Sequence, residues 1–142
     1  MDNRILIAED EARLREVLCD YFLSKGEMPV AAENGAKALA LAEEESFDAV
    51  LLDIMMPELD GFSVCRALRR RQEVPIIFLT ALSAEEDKLL GYELGADDYV
   101  TKPFTMSVLY AKTMALIKRS RGTIRSGDRL ESGGVVLDLA AQ

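Results

Sequence analysis

Five short apolar runs, each followed by a stretch with helical spacing, constrain this chain more than any other feature. The runs are RILIA at 4–8, a weaker one at 28–32, DAVLL at 48–52, PIIFL at 75–79 and a short one at 97–100. Between them lie helix-like stretches at 12–25, 35–45, 62–71 and 84–94. In the first, Leu14, Val17, Leu18, Tyr21 and Phe22 recur at helical spacing, and Gly26 stops it. A last helix begins after Thr105, with Met106, Leu109, Tyr110, Thr113 and Ile117 on one face. Strands that are apolar throughout are buried on both faces. The alternation therefore predicts an α/β protein: a doubly wound, five-stranded parallel sheet with helices on both sides.

In such sheets ligands bind at the carboxyl ends of the strands, near the reversal of strand order. The first strand ends in Glu9-Asp10-Glu11, the third in Asp53, the fourth in Thr80 and the fifth in Lys102-Pro103. If the first and third strands are neighbours, Glu9 or Asp10 lies close to Asp53. Two like charges about 4 Å apart repel by roughly 4 kcal/mol at an effective dielectric near 20. Protonation or a bound cation relieves this, and an all-oxygen set with room for water suits Mg²⁺. The structural alternative is that Glu9 and Asp10 only cap the first helix; it leaves Asp53 unexplained. An ammonium at Lys102 and a hydroxyl at Thr80 add what phosphoryl transfer needs, with Asp53 as the carboxylate nucleophile.

Composition removes most rivals. There is no histidine, so His general bases, Ser–His or Cys–His pairs and most zinc sites are excluded. Cys19 and Cys65 lie in helical patterns and read as small core residues of a reducing compartment. Residues 1–117 carry 12 Lys+Arg and 22 Asp+Glu, a net of −10, which makes a poor partner for nucleic acid. Residues 118–129 carry five basic side chains against Asp128, read as a solvated stretch. No apolar run nears the roughly 20 residues of a membrane helix, and the start is not a signal peptide; a cytoplasmic location is expected.

The combination of EDE at 9–11, LLDIMMPELDGF at 51–62, FLTA at 78–81 and GADDYVTKPF at 95–104 resembles the receiver domain of response regulators, most closely the OmpR/PhoB type. The resemblance spans about 4–119. It implies a (βα)₅ CheY-like fold with strand order 2-1-3-4-5. It implies that Glu9, Asp10, Asp53 and the Met55 carbonyl hold Mg²⁺, and that Asp53 accepts a phosphoryl group from a histidine kinase. Thr80 would be the switch hydroxyl, the Ala81 N–H would face the phosphoryl group, Lys102 would bind it, and Tyr99 would be the aromatic switch. A cis Lys102–Pro103 bond is implied too. Such domains modify only themselves and turn over no external substrate.

The resemblance also implies a homodimer on phosphorylation, through a face carrying Lys88, Asp97, Asp98, Lys112 and Arg119. Val108 stands where an acid is common, and Lys112 where arginine is usual; lysine cannot form arginine's bidentate fork. A weaker or more apolar dimer is expected. Met55 and Leu82, two residues past Asp53 and Thr80, are expected to screen the acyl phosphate and slow its hydrolysis. Residues 1–119 would be the receiver, 120–132 a linker, and 133–142 the start of a winged-helix DNA-binding domain whose remainder is missing. Promoter DNA would then be a partner of the longer protein only.

Three rivals remain to be weighed. A Mg²⁺-dependent phosphohydrolase would carry Asp-x-Asp, but Met55 takes the second position. A nucleotide-binding domain would need a glycine-rich loop after the first strand, where Glu9-Asp10-Glu11 repels phosphate instead. A receiver-like module that is never phosphorylated would have no need of the acid, hydroxyl and lysine set.

Overall fold

The computed structural model describes residues 2–127, with side chains through 122. Ten elements alternate: β1 Arg4–Ala8, α1 Ala12–Ser24, β2 Met28–Ala32, α2 Gly35–Glu44, β3 Ala49–Leu52, α3 Gly61–Arg69, β4 Ile76–Thr80, α4 Glu85–Glu93, β5 Asp98–Thr101 and α5 Met106–Gly127. All strand pairs are parallel, in the order β2-β1-β3-β4-β5. Both the architecture and the strand order expected from the sequence are therefore present.

Because strand side chains alternate, each central strand feeds two cores. Leu6, Ala8, Val50, Leu52, Ile76 and Phe78 face Ala38 and Ala42 of α2 and Val64, Cys65 and Leu68 of α3. Ile5, Ile7, Ala49, Leu51, Ile77 and Leu79 face Leu18 and Phe22 of α1 and Leu109, Leu116 and Ile117 of α5. Burying one such aliphatic side chain is worth about 1.5–3 kcal/mol. Cys65 is buried and Cys19 half-buried; both are free thiols, pushed above the ordinary range by burial.

Strand limits move by a residue where a side chain takes over from the ladder. Asp48 precedes β3, and its carboxylate accepts from Arg4 N at 2.8 Å. Asp97 precedes β5 and accepts from Ile76 N at 2.9 Å. β4 runs one residue further than its apolar pattern and includes Thr80, which pairs with Thr101. The last helix differs most. It continues to Gly127, through the first eight residues of the expected linker. Arg121 ties this extension to the sheet, donating to Asn3 Oδ1 at 2.7 Å and Asp48 Oδ1 at 3.2 Å. The expected winged-helix strand at 133–142 lies outside the described residues.

Candidate functional site

β1 and β3 are adjacent, so the chain leaving each delivers its acids to one place. Asp53 follows Leu52, its N–H bonded to the Ala8 carbonyl at 3.0 Å. Glu9 follows Ala8, its N–H bonded to Ala32 at 3.0 Å. One carboxylate oxygen from each of Glu9, Asp10 and Asp53 lies within 4.8 Å of the others. Glu9 and Asp53 are buried, while Asp10 is exposed at the mouth.

Lys102 is brought over by β5. Its N–H bonds to Thr80 O at 2.8 Å, and the bond to Pro103 is cis. Its Nζ donates to Asp53 Oδ2 at 3.0 Å and lies 3.1 Å from Glu9 Oε1. The second contact is an ion pair off the hydrogen-bond direction, so buried Glu9 Oε1 has no hydrogen-bond partner. The other oxygen of Glu9 accepts at 3.0 Å from the N–H of Glu11, the N-cap residue of α1, whose own side chain makes no capping bond. Burial pushes the Glu9 carboxyl up to about 7; the Glu11 N–H opposes this, Asp53 adds to it, and Lys102 opposes it. Burial lowers the Lys102 ammonium, but the hydrogen bond to Asp53 and the nearby charges of Asp53 and Glu9 outweigh it, and the net shift is upward.

Three carboxylates with oxygens within 4.8 Å of one another, one buried oxygen lacking a hydrogen-bond partner, fit a hard divalent cation. The donors are oxygens only, which suits Mg²⁺ rather than zinc or copper.

Thr80 is fully buried at the end of β4, and its Oγ1 accepts from Leu82 N at 3.3 Å. Ala81 is exposed on the loop beyond it. Met55 N donates to Asp53 Oδ1 at 3.1 Å, while Met55 is 60% exposed. Tyr99 is buried, packed edge-on to Phe78, with its hydroxyl donating to Leu82 O at 2.8 Å. Burial, then Asp87, pushes its phenol up to about 12.

Several of the residues expected on a dimer face have partners within the chain. Asp98 pairs with Lys112 at 3.1 Å within the chain. Asp97 is bonded to Arg69 at 3.0 Å. Asp97 and Arg119 border a cavity of about 920 Å³ whose lining includes none of Glu9, Asp10, Asp53, Thr80 or Lys102. Lys88 is half-buried on α4, where Leu89 and Tyr92 are exposed, and Val108 is exposed on α5.

Two contributors escaped the sequence reading. Gly61 opens α3 directly behind Asp53: a Cβ there would stand 2.5 Å from Asp53 O and 2.8 Å from Ile54 Cα. The Asp60-Gly61 pair reads as a turn, and only the fold reveals what the turn abuts. Arg15 lies on the first turns of α1 and donates to the carbonyls of Glu9 and Asp10. Its position five residues past Asp10 is the one signal available beforehand.

A doubly wound parallel sheet with acids, a hydroxyl and a lysine at its strand ends defines an α/β domain whose candidate site lies at the carboxyl edge of the sheet. The response regulator receiver domain family model matches residues 5–114, and the chain belongs to that family. It is the receiver of a two-component response regulator. It is 45% identical over 118 residues to the transcriptional activator protein PfeR of Pseudomonas aeruginosa, covering 83% of this chain and 39% of that protein. It is 44% identical over 131 residues to the probable transcriptional regulator ycf27 of Guillardia theta, covering 92% and 52%. The chain thus spans about half the length of such relatives or less. Among solved structures, the Francisella response regulator 1452 receiver domain superposes with TM-score 0.81 at 34% identity, covering 84% of this chain and 99% of that one. The BeF3-activated receiver domain of Klebsiella pneumoniae RstA gives 0.78 at 33%, covering 81% and 98%. Among the described residues, no helix is long and apolar enough to cross a membrane.

Proposed function

We propose that Asp53 accepts a phosphoryl group from the phosphohistidine of a sensor kinase, and that the resulting change controls transcription through a DNA-binding domain of the longer protein. The observation that carries this is Asp53 itself: a buried carboxylate held between Lys102 Nζ and the Met55 N–H, beside Glu9 and Asp10. Mg²⁺, held by Glu9, Asp10, Asp53 and the Met55 carbonyl, would supply charge neutralisation for the incoming phosphoryl oxygens.

An Asp53 carboxylate oxygen attacks phosphorus as the P–N bond of the phosphohistidine breaks. The electron pair of that bond leaves with the donor imidazole. Lys102 is already charged and within reach of the new oxygens. Thr80 Oγ1 and the Ala81 N–H can donate to them. Contacts made only in the phosphorylated state shift the equilibrium between resting and active forms. Thr80 and Tyr99 carry that shift toward α4 and β5, the face of Lys88, Asp97, Asp98, Lys112 and Arg119 through which activated copies pair. The domain acts on itself alone, as its own phosphoacceptor.

Intact mass after incubation with a small phosphodonor tests the reading. One phosphoryl adduct is expected with Mg²⁺, none after chelation, and none on Asp53→Asn. An unmodified but folded wild type would leave a receiver-like interaction module and remove Asp53 from its role.

A further inference from the structure

The loop between β1 and α1 carries two of the three carboxylates and has little to hold it. It is only three residues long, Glu9 to Glu11, and the helix cap Glu11 makes no side-chain capping bond. Glu9 is fixed by burial and by its bond to Glu11 N, but the Asp10 side chain is exposed. Its direction is therefore set by its backbone. One side chain reaches that backbone from the rigid body of α1. Arg15 Nη1 donates to Glu9 O at 2.7 Å and to Asp10 O at 3.4 Å. The Arg15 backbone belongs to the first turn of α1, its N–H bonding to Glu11 O at 2.9 Å.

We propose that Arg15 is a positioning residue: by bridging the Glu9 and Asp10 carbonyls it holds both carboxylates at the spacing a divalent cation requires, and so sets the affinity of the site for that cation. The inference rests on the reading of the pocket as a Mg²⁺ site. Both carbonyls accept from the one nitrogen Nη1, which arginine carries one bond further out than lysine carries its ammonium, so a lysine here falls short of the point between them. Removal of groups that orient metal ligands typically costs 10–100-fold in metal affinity.

Titration calorimetry with MgCl₂ on the whole chain tests it. Arg15→Lys and Arg15→Met are each expected to weaken Mg²⁺ binding about tenfold or more. Arg13→Met, the same loss of charge at an exposed neighbour, is expected to bind as the wild type does. The slowed phosphorylation of the Arg15 variants is expected to return toward the wild-type rate at saturating Mg²⁺. Far-UV circular dichroism and urea unfolding report whether each variant is folded. Wild-type affinity in Arg15→Lys would overturn positioning in favour of a charge effect. Wild-type affinity in Arg15→Met, or equal weakening by Arg13→Met, would overturn any role specific to Arg15. A wild type that binds no Mg²⁺ would instead remove the metal-site reading and this inference with it.

Discussion

Glu27 is 2% exposed, and it accepts from Asn3 N at 3.0 Å, Asn3 Nδ2 at 2.9 Å and the Tyr110 hydroxyl at 2.8 Å. Burial pushes its carboxyl up, but the bonds from Tyr110 and Asn3 and the nearby N-terminus outweigh it, and the net shift is below the ordinary value of 4.5. A carboxyl depressed by folding stabilises the folded state above its unfolded pKa and loses that contribution as pH falls through the folded value. Tyr110→Phe should cost about 1.5–3 kcal/mol at pH 7, the worth of a hydrogen bond to a charged group. Urea unfolding should show that cost shrinking once the pH is well below 4.5. Met55 is exposed and Leu82 half-buried, and the two are expected to screen a phosphorylated Asp53 from water. Polar replacements at both should hasten loss of the phosphoryl group, followed by intact mass over time. Decay no faster than that of the wild type would count against the screen.

Two glycines show what an element's neighbours demand. At Gly61 an added methyl would collide with the backbone of Asp53 and Ile54. Gly61→Ala should lose about 1–3 kcal/mol, the usual range for overpacking, and slow phosphorylation by displacing Asp53. At Gly122, on α5, a Cβ would meet nothing within 4 Å. Gly122→Ala should stabilise by up to about 1 kcal/mol, the helix-propensity difference. Thermal or urea unfolding of the two variants should move in opposite directions. The same contrast explains what was legible in the sequence. β1 and β2 match their expected limits, and Glu9, Asp10, Asp53 and Lys102 converge, because apolar runs and strand-end residues are local signals. Gly61 and Arg15 matter through contacts the chain makes only once folded, and no spacing reports those. The length of α5 was underestimated because its anchor, Arg121 on Asn3 and Asp48, joins residues more than 70 positions apart.

For the whole molecule, the expected outcome of activation is a reversible dimer of modest affinity. Val108 is 50% exposed where an acid would pair across the interface, Asp98 is satisfied by Lys112 of its own chain, and Asp97 by Arg69. Exposed Leu89, Tyr92 and Val108 offer apolar area instead. Sedimentation of the phosphorylated or beryllofluoride-treated protein should show monomer–dimer exchange. A monomer at every concentration would sink the dimer, and nanomolar association would sink its weakness. The excess of ten acidic charges over residues 1–117 adds a repulsion that salt screens, so association should tighten as ionic strength rises.

The unbroken α5, clamped at Arg121, behaves as an axle rather than a tether. An α-helix advances about 1.5 Å and turns about 100° with each residue. The azimuth at which Gly127 leaves the helix is therefore set by the count of residues after the clamp. Adding one residue between them would swing that exit by over a quarter turn with hardly any change in reach, whereas seven would restore its heading about 10 Å further out.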